Sequence, residues 1–536
     1  MELDRIAKDP KSAEVVEKDA GIVESDGDQQ VANEGSFNYL GGWRLRVVTL
    51  GLALGLFLVN FEITIVSTAL ISITNDLQEF KKSSWVVTAY LLTYVAGLVI
   101  WAKLSDLFGR KPTCIAALLI FAAFSGGCGA SQNIIQLAIC RAFQGIGGSG
   151  IYAVDMVMLY ELVPRPATLL LGGVITSGSS WRWVFLLNVP ASLVAAAILF
   201  LSVPRSFPNQ GQSAPHPERA IGVKLRSIDF LGAFLMLAAT ALLISGLEEA
   251  ALQLDWTTAT VLGPLCASAV VWLAFFANSW WVTGRQGSSS IVEPMFPWRF
   301  CRSRVVVGLL LTSFMTGAVS ITCIFQLPLR FQTSAGLGPL EAGVRLIPFS
   351  VCGPLGTIVC AVLSKNKRAP PIYMAIVGEV MQIIGLVFFS RGDPAQPDWH
   401  ALYGLEVVVG LGFGMCLGAV TLMAPFVVEK RDLAIAAAAP VQLRFLGSAT
   451  VISIVTAVGN TWLKGVLSDS LSVEQIQAIF RSSEHIDMLP APEVIAMVRG
   501  RFVESFNLQM RIVLGFAIAG AFAALLMWQR NQVKIS

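Results

Sequence analysis

Charge is scarce in this sequence. Only 14% of its 536 residues are Asp, Glu, Lys or Arg, against roughly 25% in a soluble globular domain. The shortage runs the length of the chain and recurs as apolar blocks about 20 residues long, which excludes a soluble domain and marks a polytopic membrane protein. Histidine is rarer still. His216, His400 and His485 all fall in loops, so imidazole proton carriage inside the membrane is excluded. The nine cysteines include no Cys-x-x-Cys pair, which argues against a disulfide framework and a zinc site. Nucleophile elbow, metal triad and phosphate loop are all missing, so no enzyme, cofactor or metal is expected. No Asn-x-Ser/Thr sequon occurs. Residues 1–42 are polar and acidic and read as a disordered cytoplasmic tail, not a secretory signal. A net charge of +3 is too small to argue for a nucleic-acid partner.

What fills the chain is hydrocarbon: 55% apolar residues and a mean hydropathy of +0.68. Thirteen stretches predict membrane helices, at 47–70, 85–101, 113–130, 135–160, 183–203, 230–247, 258–281, 305–327, 342–363, 372–390, 401–428, 433–459 and 512–528. A fourteenth, 167–176, is doubtful. The residues between Pro164 and Trp181 give at most about 24 Å of helix, against roughly 30 Å of hydrocarbon. Loop charge argues the other way. Only with fourteen crossings do the cations at 205–226, 285–304, 365–368 and 430–431 all face the cytoplasm, leaving few outside beyond Lys81, Lys82, Arg182, Arg330 and Arg391. The segment is either a strained crossing or the scar of a lost piece. The expected organisation is a tail (1–42), a first bundle (43–203), a linker with two extra spans (204–303) and a second bundle (304–536). An extracellular loop, 460–511, is expected to carry amphipathic helices at 473–481 and 493–503.

Ionisable groups at membrane depth are costly, which makes each a functional candidate. Glu62 lies in the first span and shares a face with Gly51 and Gly55, whose spacing admits a close neighbour. In the fourth span Arg141, Gly148, Tyr152 and Asp155 form one stripe, with Gln144 at its flank. Arg141 and Asp155 are about 21 Å apart along the axis, so each needs a partner on another helix or in water. Glu406 joins Glu62 and Asp155 as a proton-carrying candidate, whereas Glu379 is expected near a helix end, reaching the headgroups. Gly410, Gly414 and Gly418 repeat at packing distance.

Between the second and third spans, residues 103–111 read Lys-Leu-Ser-Asp-Leu-Phe-Gly-Arg-Lys. This basic link predicts a cytoplasmic hairpin in which Asp106 pairs with Arg110 or caps a helix. It resembles the signature loop of the major facilitator superfamily, with Ala102 where that family usually starts the motif with Gly. Residues 141–150, Arg-Ala-Phe-Gln-Gly-Ile-Gly-Gly-Ser-Gly, are similar to the family's fourth-span motif. Residues 61–70, Phe-Glu-Ile-Thr-Ile-Val-Ser-Thr-Ala-Leu, resemble the first span of the fourteen-span drug:proton antiporters, with Glu62 in place of Asp. Residues 181–190 resemble the start of that group's sixth span, where the paired Trp would sit at the membrane interface, and residues 327–332 and 343–348 are similar to segments of its second half. The group's fifth-span Gly-Pro-x-x-Gly-Gly is reduced to Leu-Gly-Gly at 171–173.

The resemblance implies an all-α membrane protein of the major facilitator fold, two six-helix bundles plus two central spans, with the fifth span truncated. It implies proton-coupled efflux of small amphipathic compounds, of the fungal toxin and multidrug type. Glu62, Arg141, Asp155 and Glu406 are its coupling candidates. Asp106, Gly109, Arg110 and Lys111 form its cytoplasmic gate, and Gln144 and Tyr152 its transport cavity. An uptake symporter for a sugar, amino acid or iron chelate, or a decayed non-transporting member, is the alternative. Expected partners are the substrate, protons and the bilayer. The chain is expected to be monomeric, in the plasma membrane or, alternatively, the vacuolar membrane.

Overall fold

A computed structural model describes residues 42–77, 83–162, 181–204, 229–253, 256–285, 292, 294–366, 369–393, 401–429, 432–481, 486, 488–489, 491–530 and 532. Its long elements are all helices, because a bilayer offers backbone groups no water and a helix satisfies them within itself. The first half contains α1 (Gly42–Leu77), α2 (Ser83–Phe108), α3 (Arg110–Ala130), α4 (Ile134–Leu162) and α5 (Trp181–Ser202). Two helices follow, α6 (Phe230–Gln253) and α7 (Ala259–Arg285). The second half contains α8 (Arg304–Ser334), α9 (Ile347–Asn366), α10 (Pro371–Phe389), α11 (Ala401–Met423), α12 (Leu433–Leu467), the short α13 (Val473–Arg481) and α14 (Pro492–Leu526). Twelve of these helices are long and apolar enough to cross a membrane. The thirteenth expected span is α4, which its glycines and its Arg141, Gln144 and Asp155 keep outside those twelve. The doubtful fifth span lies outside the described residues, as do the tail before Gly42 and the loop cations at 205–226, 367–368 and 430–431, so the described residues do not reach fourteen crossings.

The two halves repeat one packing scheme. In the first, α4 lies against α2 and α3, and α5 against α3 and α1; in the second, α11 lies against α9 and α10, and α14 against α10 and α8. Helix α12 packs on α8 and α14 and crosses to α2, α4 and α6 of the other side. Among the described residues the first half shows no counterpart of α12. Close approach is made by glycine. Gly410, Gly414 and Gly418 of α11 each face α9, and Gly51 of α1 faces Ile198 and Leu199 of α5.

A continuous core joins the halves at one end. Leu98, Trp101 and Ala102 of α2 and Val157 of α4 share it with Val305 and Leu309 of α8 and Ala434–Ala439 of α12. Beside it, Arg299 grips both carboxylate oxygens of Asp432, tying the entry of α8 to the entry of α12. This is the end that the basic link assigns to the cytoplasm. A second core, from Ala318 through Leu402 to Ala517, belongs to the second half alone. The two halves are therefore in contact at that end.

Three boundaries differ from expectation. The basic link shrinks to Gly109 alone, because helical hydrogen bonding continues past the apolar run on both sides. The last two spans also outrun their apolar stretches: α12 continues to Leu467, and the amphipathic 493–503 is the opening of α14. With α13, found where expected, they enclose a small core of Leu463, Ile476, Ile479 and Val498.

A methyl at Gly414 would stand 2.8 Å from the Gly353 carbonyl carbon and 2.9 Å from Thr357 N, both backbone. Gly414→Ala is expected to destabilise by about 1–3 kcal/mol, read as a lower melting temperature of the purified protein. Gly404 of the same helix has nothing within 4 Å, and Gly404→Ala should leave melting unchanged or slightly raised.

Candidate functional site

At the end where the halves share a core, Gly109 separates α2 from α3 with φ 95°, a left-handed conformation that side chains disfavour. The turn places Arg110 at the start of α3, facing back on α2. Its Nη1 donates to Asp106 Oδ1 at 2.6 Å and to Ser105 Oγ at 2.8 Å; its Nη2 donates to Glu161 Oε1 at 2.7 Å. Asp106 thus pairs with Arg110, as one of the two expected arrangements had it. Glu161, at the end of α4, is a partner that sequence reasoning missed by treating it as loop. Lys111 Nζ donates to Val203 O at 2.6 Å and lies over the Phe200 ring. Together these groups tie α2, α3, α4 and α5.

Deeper in the first half, five helices converge on Arg141. It is fully buried, and so is Glu62, to which its Nη1 donates. Nη1 also donates to Gln144 Oε1 at 2.8 Å, and Nε to Val86 O at 3.0 Å. The guanidinium plane lies 4.3 Å from the centre of Tyr90 and 5.7 Å from that of Phe185. Asn188 of α5 donates to the second Glu62 oxygen, and Gln144 Nε2 donates to Ser125 Oγ of α3 at 2.7 Å. Gln144 thus belongs to this enclosed cluster and does not line an open chamber here. Asn188 and Ser125 escaped the sequence reading because neutral polar groups barely alter hydropathy.

Asp155, about 21 Å along α4 from Arg141 by helical rise, has a separate setting. Cys114 Sγ of α3 donates to its Oδ1 at 3.3 Å, while buried Oδ2 has no hydrogen-bond partner and faces Gly55 of α1. Beside it on the same helix, Tyr152 accepts a hydrogen bond at 3.3 Å from Arg444 Nη2 of α12. Tyr94 stands edge-on to Tyr152 and to Phe445. Here a polar contact crosses between the halves.

In the second half Glu406 is buried with neither oxygen hydrogen-bonded. Glu379 corrects an expectation. It sits at the middle of α10, wholly buried, with Thr316 Oγ1 3.1 Å from Oε1, and does not reach the headgroups. Nor is Arg330 in an outer loop: it lies within α8, buried, over the Phe506 ring at 4.7 Å. No cluster suited to a metal ion occurs among the described residues.

The sequence matches the family model of the Major Facilitator Superfamily over residues 52–168 and 166–452. It is 36% identical over 514 residues to the MFS-type transporter FPY5 of Fusarium mangiferae, covering 92% of this chain and 85% of that protein. It is 27% identical over 510 residues to the efflux pump dotC of Dothistroma septosporum, covering 90% and 84%. Among solved structures it is similar to a bacterial homologue of the human lysosomal transporter Spinster in an inward-facing, unoccupied conformation. The TM-score there is 0.52 at 13% identity, covering 92% of this chain and 100% of that one, a likeness of fold.

Removing one member of a buried ion pair strands the other charge. Glu62→Gln or Arg141→Gln alone is expected to cost about 3–5 kcal/mol, and the double variant less than the sum of the two. Thermal unfolding of the four proteins of this cycle measures the coupling. Additive losses would mean that the two side chains do not depend on each other.

Proposed function

The chain belongs to the Major Facilitator Superfamily, and on that premise we propose that this transporter exports small amphipathic organic compounds in exchange for protons. The carrying observation is Asp155. It is a buried acid with a thiol on one oxygen and nothing on the other, on the same helix as Tyr152, which meets Arg444 of the opposite half. A carboxyl so placed tolerates a proton and resists ionisation unless water or a cation arrives. Gain or loss of that proton changes how α4 seats against α1, α3 and α12. Glu62 has a different part in this reading. Held by Arg141 and Asn188, it fixes α1, α4 and α5 as one platform while the neighbouring acid titrates.

The closed cytoplasmic end supports an outward-facing resting state, held by the joint core, by Arg299 with Asp432, and by the brace of Asp106, Gly109, Arg110 and Lys111. In the proposed cycle Asp155 takes a proton from outside as substrate leaves, the halves rock, and the proton is lost inside as substrate enters. Outward direction is supported by likeness to a protein named as an efflux pump. One chain in the plasma membrane is sufficient for the cycle.

Asp155→Asn should slow pH-driven movement on the order of tenfold to a hundredfold, while folding and membrane insertion persist. Proteoliposomes with an imposed proton gradient and a panel of labelled amphipathic compounds measure both rate and direction. Movement with the proton flux in the wild type would replace export by uptake. Unchanged rates in Asp155→Asn would remove Asp155 from the cycle.

A further inference from the structure

The second half holds a carboxyl group to which the cycle above assigns no part. Glu379 is enclosed by α8, α11 and α14, and the groups that border it are all uncharged. Thr316 Oγ1 has two acceptors for its one hydroxyl proton, the Thr312 carbonyl at 2.7 Å and Glu379 Oε1 at 3.1 Å. Cys416 Sγ, the neighbour on α11, lies within hydrogen-bonding reach of the carboxyl and also donates to Ala375 O at 3.3 Å. The buried Oε2 has no hydrogen-bond partner and lies in the space left by Gly520 of α14, where a Cβ would come within 2.8 Å of it. Along α10, Gln382 Nε2 donates to Gly378 O and Cys416 Sγ, and Cys360 of α9 stands next to Cys416. None of these side chains is a cation. An ionised Glu379 would have only neutral donors at Oε1, none at Oε2 and no counter-charge in a dry helix interface. A protonated one donates to Thr316 Oγ1 and is accommodated.

The first half carries the same three-part arrangement. Asp155 has a thiol from an adjacent helix on one oxygen, and its other oxygen lies against glycine, where a Cβ at Gly55 would stand 2.6 Å away. Acid, thiol and glycine come from α4, α3 and α1 in one half and from α10, α11 and α14 in the other.

We propose that Glu379 is a second proton-binding site, the counterpart of Asp155 in the second half. It holds a proton in the packing seen here and yields it to water when α10 and α14 part. The inference rests on the proton-coupled reading and deepens it: the cycle then carries a proton in each half.

Infrared difference spectra and dye-detected proton release of the full-length chain in phosphatidylcholine nanodiscs, taken between about pH 5 and pH 10, test the site without a substrate. The wild type should lose carboxylic-acid C=O bands as pH rises. Glu379→Gln should lack one such component and release about one proton fewer per chain. Glu379→Asp, which keeps the carboxyl at shorter reach, should retain the proton and shift the band. If Glu379→Gln matches the wild type in both readouts, the proposal is overturned. Should Glu379→Gln fail to fold, an unshifted band in Glu379→Asp overturns it equally. Wild-type proteoliposomes are scored separately. Loss of all pH-driven transport there defeats the proton-coupled reading, whatever the Glu379 band does.

Discussion

An ionised side chain in hydrocarbon requires a counter-charge or water, and this one constraint sorts the acids of the described spans. Glu62 has both a guanidinium and an amide donor, so it can remain charged. Among the described residues no cation pairs with Asp155, Glu379 or Glu406. The Glu62–Arg141 pair is possible only because helices approach until no solvent fits between them. Helix α4 achieves this with Gly147, where a Cβ would stand 2.6 Å from Phe121 N, and Gly150, at the same distance from Ala117 Cβ. Close packing and charge pairing are thus one device. The glycines exclude water, and exclusion of water makes the pair both strong and hard to break.

The cytoplasmic brace follows from the same rule with a different result. The hydrogen bonds of Arg110 run to Ser105, Asp106 and Glu161, all in the first half. Arg110 therefore does not latch one half to the other directly. It fixes the ends of α2, α3 and α4 relative to one another, and that fixed surface receives the apolar start of α12. Closure between halves is left to the shared core, to Arg299 with Asp432, and to Arg444 with Tyr152. The first two of these contacts can separate without isolating a charge in lipid, because one is apolar and the other lies at the helix entries.

Much of this was legible in the sequence, since apolar length and misplaced charge are strong signals in a membrane chain. The thirteen expected spans correspond to thirteen helices, and Glu62, Arg141, Asp155 and Glu406 were marked by charge within apolar runs. Helix ends were not legible. Hydropathy registers hydrocarbon, whereas α12 and α14 keep their hydrogen bonds well beyond it, stabilised by packing with α13. Glu379 was misjudged because sequence position does not reveal which way a mid-helix side chain turns. Asn188, Ser125 and Cys114 left no trace in hydropathy. The Tyr152–Arg444 contact joins residues 292 apart, and no local pattern encodes such a pairing.

The halves differ in what holds their helices, and that difference bears on which of them deforms. In the first, Arg141 gathers five helices and Arg110 three through buried or half-buried ionic contacts, or through the residues those contacts fix. Shearing these helices would strand charges at a cost of several kcal/mol each. In the second, the closest contacts are glycine against backbone: Gly414 on Gly353, Gly378 on Gly412, Gly447 on Phe314. Such contacts are dispersive, and each atom pair contributes only about 0.1–0.2 kcal/mol, so small sliding steps lose little at a time. The second half is accordingly the one able to shift its helices against one another. A proton on an acid of the second half then acts where the structure yields, since hydrating one carboxylate outweighs many such small contacts.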